Sequence, residues 1–329
     1  MLNHFEVVYR ILVLILVLGV GTGLVSGASD DIIQTPEDLV SFVNETVRYM
    51  ADHGVDKGID GIMNGGGLYT RQGAVISVYD QNVTLLAHPS FPNEIGKNQI
   101  NLTDPYGLKI IKHERNIAAD GGGFFFMLPI ISFDASIGGS HESEYAPHLG
   151  YIHPVSDQIW ITSDVPLIGM KDPRTGVAYL SGLETYVDDA VEYVRDVGQD
   201  KAIRDFDDPN GSFTRGLRSI IAYHVDGAHL ELPLFPDLEE TDQQEDYVTY
   251  GMDRVVRLFR DVHENGSGYN VFDSINNETR QYESKLGYFK MVDDTWLVGS
   301  SISCSDLINQ FPLSHSDLIF RPGFGNDSR

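Results

Sequence analysis

The sequence predicts an α+β fold of two related domains, each with a central antiparallel sheet, an N-terminal helix and flanking helices. Amphipathic runs with helical spacing alternate with short β-rich stretches that are joined by tight turns. Strands joined in this way pair antiparallel, with helices packed against the sheet. Motifs of the first half also return in the second half about 144 residues later.

The first predicted element is a helix that begins after Thr35. Thr35 is a suitable N-cap, Pro36 fits the first helical position, and acids follow in the first turn. The apolar residues then recur at helical spacing: Leu39, Phe42, Val43, Val47 and Met50. Gly54 is a natural C-terminal stop.

The stretch from Ala74 to Gly123 is the best-defined unit of the chain. It predicts a strand, a tight turn at Asp80–Asn82 and a second strand that ends at His88 and Pro89. A loop follows, and then a helix over Tyr106–Asp120 that three glycines terminate.

The second half repeats this order of elements. Ser181 and Glu184 form a capping-box pattern, and the helix that follows is expected to end at Gly198. A turn is predicted at Asp207–Gly211. Two strands around Asp226-Gly227 are predicted within Ser219–Leu232.

The internal repeat can be counted. Three motifs of the first half recur at shifts of 144, 144 and 145: Pro89–Pro92 as Pro233–Pro236, Tyr106-Gly107 as Tyr250-Gly251, and Gly121–Gly123 as Gly266–Gly268. Gly150 through Trp160 matches Gly287 through Trp296 at shifts of 137 and then 136. This match predicts a shared packing role for the two tryptophans.

We therefore predict domains at residues 30–168 and 177–305. Residues 306–329 would form a C-terminal tail, or a strap across the second domain. Residues 1–28 are expected to be a signal peptide or an N-terminal membrane anchor, since Ile11–Val25 is apolar apart from Gly and Thr and small residues follow it. Either outcome places the rest of the chain outside the cytoplasm.

Seven N-x-S/T triplets agree with an exported glycoprotein. Their asparagines are Asn44, Asn82, Asn101, Asn210, Asn265, Asn277 and Asn326. The net charge of −25 over 329 residues argues against nucleic-acid binding, because phosphates would be repelled. The single cysteine, Cys304, allows no intrachain disulfide.

Known catalytic and metal-binding patterns are not found in the sequence. It contains no G-x-S-x-G, no H-E-x-x-H and no complete calcium loop around Asp205–Asp208. Ser140-His141-Glu142 are adjacent in sequence, which does not make a triad. We expect no enzyme activity, no cofactor and no metal.

Several motifs carry a resemblance to a known family. They are Tyr79-Asp80, Ala87-His88-Pro89, Ile95–Asn98, Asp104–Gly107 and the glycine triplet in the first half, and Phe206–Phe213 and Tyr288–Ser301 in the second. Together they resemble tandem single Cache domains of type 2, a family of PAS-like extracytoplasmic sensor domains. The resemblance implies a PAS-like antiparallel sheet with a pocket for a small organic ligand. The second copy departs from the family, since Leu232-Pro233 replaces His-Pro.

Five residues are candidates for ligand contact in the first copy: Tyr79, His88, Arg71, Arg115 and Tyr151. His88 precedes a proline at a strand end, which favours an extended backbone. The tyrosines could bring a hydroxyl into an apolar pocket, and the arginines could bind a carboxylate. The alternative roles are capping or packing for His88, core packing for the tyrosines and solvent exposure for the arginines.

The sequence therefore predicts an extracytoplasmic, sensor-type protein that binds a small carboxylate, amino acid or amine. No output domain is expected within the chain, so any signal would pass through a membrane receptor or kinase partner. A homodimer is left open. The alternatives are a cell-surface structural or adhesive glycoprotein with vestigial pockets, and a secreted hydrolase.

Overall fold

The computed structural model describes residues 32–64, 69–71, 74–129, 145–215, 218–225, 229–231, 252–275 and 282–313. Several predictions fall outside this part of the chain: the N-terminal segment, Ser140–Glu142, Asp226-Gly227, Pro233–Pro236, Tyr250-Gly251, Asn277 and Asn326. Of the other sequon asparagines, Asn44 is half-buried and the remaining four are exposed.

Seven α-helices are described. They are α1 (Pro36–His53), α2 (Val55–Asn64), α3 (Ile110–Ala119), α4 (Ser181–Val197), α5 (Gln199–Phe206), α6 (Met252–Asn265) and α7 (Cys304–Ile308).

Fourteen strands are described. They are β1 (Thr70–Arg71), β2 (Ala74–Val75), β3 (Ser77–Asp80), β4 (Leu85–Ala87), β5 (Gly123–Met127), β6 (His148–Ser156), β7 (Ile159–Pro166), β8 (Thr214–Arg215), β9 (Arg218–Ser219), β10 (Ile221–His224), β11 (His229–Glu231), β12 (Ser267–Ile275), β13 (Tyr282–Met291) and β14 (Trp296–Ser303).

Ten of the strands form two five-stranded antiparallel sheets with the same order, and β1-β2 and β8-β9 form two-stranded sheets. The first sheet runs β4-β3-β7-β6-β5 and the second runs β11-β10-β14-β13-β12. The long helix before each sheet packs on one face, α1 on the first and α4 on the second. The helices α3 and α6 contact the first and second sheet, respectively. The predicted α+β class, with a central antiparallel sheet in each half, is confirmed.

The start of α1 agrees with the predicted cap. The Thr35 hydroxyl accepts a hydrogen bond from the Asp38 backbone N–H (3.2 Å), and the Asp38 carboxylate accepts one from the Thr35 N–H (3.0 Å). The helix ends at Gly54, whose φ of 91° is strained for any other residue type. Both ends of α1 could be predicted from the sequence because they depend on neighbouring residues alone.

The cap predicted for α4 is wrong. The helix begins at Ser181 itself, and the Ser181 hydroxyl donates to the carbonyl of Ala178 (2.7 Å) rather than accepting from the helix. The end at Gly198 is confirmed, with a φ of 83°. A further helix, α5, follows directly and was not predicted.

The matched packing role of the tryptophans is also wrong. Trp160 lies opposite Tyr79 across β7 and β3, whereas the residue opposite Tyr223 across β14 and β10 is Leu297. Trp296 comes one residue before Leu297 and lies opposite His224. It therefore faces the side of its sheet opposite to the side that Trp160 faces in the first sheet. The correct shift along these strands is 137 throughout.

One core joins the two halves. The residues from 32 onward form one compact unit, and a continuous cluster of buried apolar side chains extends from Leu39 on α1 to Phe311 after α7. Phe311 packs against Phe124 of β5, with ring centroids 5.8 Å apart, and against Tyr179 at 4.9 Å. The segment that follows the second sheet therefore contacts the first.

We find no helix within the described residues that is long and apolar enough to cross a membrane.

Candidate functional site

The two faces of the first sheet differ in their partners. Side chains alternate along a strand, and residues directly opposite each other share a face. Phe124, Tyr151 and Ile161 point toward α1 and belong to the main core. Tyr79 and Trp160 belong to a second cluster that contains the isoleucines of α3. We call this second side the α3 face.

The α3 face carries a group of buried polar side chains among its apolar residues. We call this group the polar cluster: Tyr79, Glu114, His148, Trp160, Thr162 and Asp164. Trp160, Thr162 and Asp164 alternate along β7, so the strand presents all three to the same side. Glu114 reaches them from α3. Such a concentration of polar groups in an apolar layer requires partners.

Glu114 is the most deeply placed acid of the cluster. It is only 2% exposed, and its Oε2 has no hydrogen-bond partner within the described residues. Burial raises the pKa of this carboxyl well above its ordinary value, and the negative charge of Asp164 raises it further. The nearby Trp160 indole lowers it and offsets part of the shift. Glu114 therefore binds a proton more readily than an exposed glutamate does.

Two further atoms of the cluster are buried without a partner within the described residues. They are the indole Nε1 of Trp160 and the hydroxyl Oγ1 of Thr162. The indole N–H can only donate, the hydroxyl can donate or accept, and the Glu114 carboxyl can do either according to its protonation. A buried polar atom without a partner costs about 1–3 kcal/mol. The α3 face contains three such atoms, and two of them, on Trp160 and Glu114, lie near each other.

Asp164 occupies the more accessible end of the cluster. Its side chain is 33% exposed, and its Oδ2 lies 2.5 Å from Nδ1 of His148 on the neighbouring strand. Gly150 lies directly opposite Asp164, and the ring of Phe125 fills the space where a Cβ on Gly150 would be. The absence of a side chain at residue 150 is what lets the aromatic ring reach this position.

His88 and Tyr79 are predicted site residues that the structure brings close to this cluster. His88 packs on Phe91 with ring centroids 4.5 Å apart, and its Nδ1 accepts a hydrogen bond from the Ser90 N–H (3.1 Å). Burial lowers the pKa of His88 to about 4, against the opposing effect of Asp164, so the ring is neutral at pH 7. An Nδ1 that accepts leaves the proton on Nε2.

Tyr79 stacks on Trp160, with centroids 5.4 Å apart and an interplanar angle of 17°. Burial raises the pKa of its phenol well above the ordinary value, and the charges of Glu114 and Asp164 raise it further. The hydroxyl therefore stays protonated and remains a donor.

The other predicted residues lie apart from the polar cluster. Arg71 forms an ion pair with Glu45 of α1 (2.7 Å) and lies over the Phe42 ring at 4.8 Å. Tyr151 points toward α1 and contacts Phe124, with ring centroids 4.9 Å apart. Arg115 lies on α3, where its Nη2 donates to Asn116 Oδ1 (3.2 Å). No described arginine or lysine belongs to the polar cluster.

Sequence reasoning missed most of the polar cluster. Glu114 had a signal, because it falls on the apolar stripe of α3 with Ile110, Ile117 and Ala118, at a position where an acid is unexpected. The sequence signal for Asp164 was weaker: this residue alternates with Trp160 on a buried strand. The link between these residues depends on the strand register and the position of α3, which local patterns do not specify.

The corresponding face of the second half has different polar groups, Asn270, Ser301 and the ion pair of Glu283 with Lys285. Tyr223 occupies the position of Tyr79 and packs on Phe259 of α6, with ring centroids 4.9 Å apart. At the positions of Trp160, Thr162 and Asp164 stand Leu297, Gly299 and Ser301. The Phe289 ring fills the space above Gly299. The described residues of this face contain no counterpart of the acidic pair.

The polar cluster places hydrogen-bond donors and acceptors close together. It offers donors at Trp160 and Tyr79 and acceptors at Asp164 and Glu114. In the part of the chain that the structure describes, no group of three or more His, Cys, Asp or Glu side chains could hold a metal ion. The arrangement therefore suits a ligand with both donor and acceptor groups.

Comparison with solved structures found matches of low similarity. A methyl-accepting chemotaxis protein from Vibrio parahaemolyticus is 17% identical, with a TM-score of 0.32, over 41% of this chain and 90% of that one. A Cache chemosensory domain described as recognising carboxylic acids is 15% identical, with a TM-score of 0.30, over 39% and 94%. The extracellular domain of a histidine kinase is 10% identical, with a TM-score of 0.26, over 83% and 88%.

These three structures are all sensor domains by their descriptions. No family model and no curated protein matches this chain. Since the identities are below 25% and the TM-scores below 0.5, no ligand or residue role is taken from these structures. The site rests on the contacts of this chain.

Proposed function

We propose that this chain is an extracytoplasmic, sensor-type protein whose polar cluster binds a small ligand with an ammonium group, such as an amino acid or a small amine. The observation that carries the proposal is the set of three buried polar atoms on the α3 face, on Glu114, Trp160 and Thr162, that have no partner among the described residues. A ligand that supplies those partners would recover the desolvation cost of the three groups.

The charge of the cluster favours an ammonium group over a simple carboxylate. Asp164 and Glu114 are acids and the neighbouring His88 is neutral at pH 7. His148 contacts the Oδ2 of Asp164, so an ammonium group would bind at Oδ1. An ammonium group would donate to Asp164 and to Glu114, which would lower the raised pKa of Glu114 by stabilising its charged form. The carboxylate of an amino acid would accept from the Trp160 N–H and the Tyr79 hydroxyl, whereas a ligand with only a carboxylate would be repelled by both acids.

The elements around the cluster suit ligand capture by a movement of α3. The loop before α3 is bound to the β3–β4 hairpin by backbone hydrogen bonds from Leu85 to Lys97, from Gly96 to Leu85 and from Gln99 to Val83, at 2.8–3.1 Å. The first turn of α3 has no side-chain cap. A ligand would meet Asp164 from the surface, and α3 would separate from the sheet to admit it to the buried Glu114 while the loop stays in place.

The export of the chain is part of the proposal. The apolar segment Ile11–Val25 and the seven sequons support a location outside the cytoplasm, secreted or anchored by residues 1–28. The signal would pass to a membrane receptor or kinase partner. Domains at 30–168 and 177–305 describe the two sheets with their helices, and the second would support the first.

The test is a thermal-shift screen of the full chain against amino acids, amines and carboxylates, followed by calorimetry. We expect amino acids or amines to raise the Tm, since a ligand at about 100 times its Kd adds about 2.7 kcal/mol. Asp164→Asn and Glu114→Gln should each weaken binding at least about tenfold. Glu192→Gln, an exposed acid of α4, is the control and should bind as the wild type does.

Two results would contradict the proposal. If both cluster variants bind the hit with wild-type affinity, the ligand does not occupy the polar cluster. If no compound raises the Tm, a structural or adhesive role with vestigial pockets is favoured instead.

A further inference from the structure

A cavity between the two halves has a sequon asparagine in its lining. Its volume is about 340 Å³, within the usual range for small-molecule sites. The first half contributes Tyr106 and Tyr145, and the second half contributes Asn265, Tyr269 and Tyr288. Asn265 is exposed and begins an N-x-S triplet. A group attached to its side chain would therefore lie beside this cavity.

The local backbone holds Asn265 in one position at the cavity. This residue is the last of α6, and Gly266 turns the chain into β12 with a φ of 83°. The Asn265 Nδ2 donates to the backbone carbonyl of Asp261 (2.8 Å). An amide nitrogen has two N–H groups, so this bond uses one and leaves the other for the attachment of a sugar. The linked amide can retain the bond.

Four tyrosines supply aromatic surface to the cavity. Tyr269 and Tyr288 lie directly opposite each other on β12 and β13, with ring centroids 4.9 Å apart. Tyr106 and Tyr145 form a second pair at 6.1 Å. The face of an aromatic ring is electron-rich, and the C–H groups on one face of a pyranose carry a slight positive charge. A sugar ring can therefore pack on the face of a tyrosine.

Hydrogen bonds hold Tyr269 and Tyr288 in place. The Tyr269 hydroxyl donates to Glu184 of α4. The hydroxyl of Ser267, the third residue of the triplet, is hydrogen-bonded to Tyr288. Both rings are thus positioned before a sugar arrives, which lowers the entropy cost of binding. Because Tyr288 engages Ser267 in the folded chain, a transferase that reads Ser267 must act before folding is complete.

We infer that Asn265 is N-glycosylated and that the first sugar of the glycan docks in this cavity, where it contacts both halves. The inference rests on the proposed export of the chain and is independent of the amino-acid site. Attachment keeps the sugar beside the cavity at an effective concentration of about millimolar, so weak packing on the tyrosine rings is sufficient.

The attachment uses a lipid-diphosphate sugar as the donor. The Asn265 Nδ2 attacks the anomeric carbon of the sugar, and a C–N bond forms. The bond from that carbon to the diphosphate oxygen breaks, and its electron pair leaves with the diphosphate. One Nδ2 proton passes to a base on the transferase, and the other remains for the bond to the Asp261 carbonyl.

The experiment compares the full chain from a host that glycosylates N-x-S/T triplets with the same chain from a host that does not. Glycans are trimmed to one N-acetylglucosamine with an endoglycosidase, and peptide mass spectrometry measures the sugar at Asn265. The readout is the rise in Tm that glycosylation gives each variant. We expect the rise for the wild type to exceed the rise for Asn265→Gln by about 2 °C. Tyr288→Leu should rise no more than Asn265→Gln, whereas Tyr288→Phe, which keeps the aromatic face, should match the wild type.

Asn210→Gln is the matched control, because it removes an exposed sequon that does not line the cavity, and its rise should match the wild type. Asp164→Asn alters the polar cluster and should also match the wild type, so failure of the amino-acid site would leave this result intact. Circular dichroism confirms that each variant is folded. The inference is overturned if Asn265 carries no sugar while other triplets do, if the wild type rises no more than Asn265→Gln, or if folded Tyr288→Leu keeps the wild-type rise.

Discussion

The α3 face of the first sheet and the face of the second sheet that α6 covers have the same framework and different polar groups. Tyr79 and Tyr223 occupy equivalent positions, and each is covered by a helix. Around Tyr79 stand Glu114 and Asp164, whereas around Tyr223 the Phe259 ring fills the space. The strand order alone therefore does not make a binding site. The polar groups that line the two faces differ, and among the described residues only the first half has acids at the positions of Glu114 and Asp164.

The largest expected effect concerns a feature that the two faces share, a glycine beneath an aromatic ring. We expect Gly150→Ala to destabilise the protein by about 2–3 kcal/mol, because a Cβ there would collide with the buried Phe125 ring. Gly287→Ala should cost less, about 1–2 kcal/mol, since its Cβ would lie 2.8 Å from the Phe289 Cε2. Thermal unfolding followed by circular dichroism measures both.

Gly182→Ala provides the control for these two variants. It lies in the first turn of α4 with no atom within 4 Å of an added Cβ, so it should be neutral or slightly stabilising. If Gly150→Ala is as harmless as Gly182→Ala, the ring does not occupy this space in solution.

The second expected effect concerns the stability of the protein at acid pH. It belongs to the first half only, because the residue that corresponds to His88 in the second half is Leu232. The pKa of His88 is lowered to about 4 in the folded protein, below the ordinary value of 6.5. The unfolded chain thus binds more protons between these values, so stability is lost as the pH falls from 6.5 to 4.

Over this pH range we expect the free energy of unfolding to fall by about 2 kcal/mol more for the wild type than for His88→Asn. This figure allows for the partial exposure of the His88 ring. Asparagine does not titrate, and its side-chain oxygen can accept from the Ser90 N–H as Nδ1 does. Denaturant unfolding at pH 7 and at pH 4 gives the change in the free energy of unfolding for each of the two proteins. Equal losses for both proteins would show that His88 is not buried in this way.

The smallest expected effect concerns Glu114, whose counterpart is Phe259. The pKa of Glu114 is raised in the folded protein, so its contribution to stability is complete below pH 4.5 and is lost as the pH rises. Glu114→Gln should therefore be more stable than the wild type by about 1–2 kcal/mol at pH 8, and the gain should vanish below pH 4.5. Phe259→Leu, which involves no titration, should differ from the wild type by the same amount at both pH values.

A stability gain of Glu114→Gln that does not depend on pH would contradict the buried, ionisable environment assigned to Glu114. The same variant is expected to weaken ligand binding. A gain in stability with a loss of binding is typical of a site whose polar groups are held without partners.

Local patterns predicted much of the fold because short-range chemistry determines those elements. Thr35, Pro36 and Gly54 specify both ends of α1, and Asp80 specifies the first hairpin by accepting hydrogen bonds from the N–H groups of Asn82 and Thr84 at 2.9 and 2.8 Å. Ser181 shows the limit of this approach, since a suitable sequence pattern did not produce a cap.

The candidate site was predicted less completely because it depends on register and on long-range pairing. Tyr79 and His88 were identified, but Arg71 pairs with Glu45, 26 residues away, and no local signal shows this. A one-residue error in matching the repeats placed Trp160 and Trp296 together, although they face opposite sides of their sheets.

The position of Phe311 has a consequence for synthesis of the chain. Its ring contacts Phe124 and Tyr179, and Arg174 Nη2 donates to the carbonyl of Gln310 beside it. The first sheet is thus translated long before the side chain that closes its core. During translation the apolar surface that Phe311 covers would stay exposed until more than a hundred further residues had left the ribosome. The two halves would then mature together rather than one after the other.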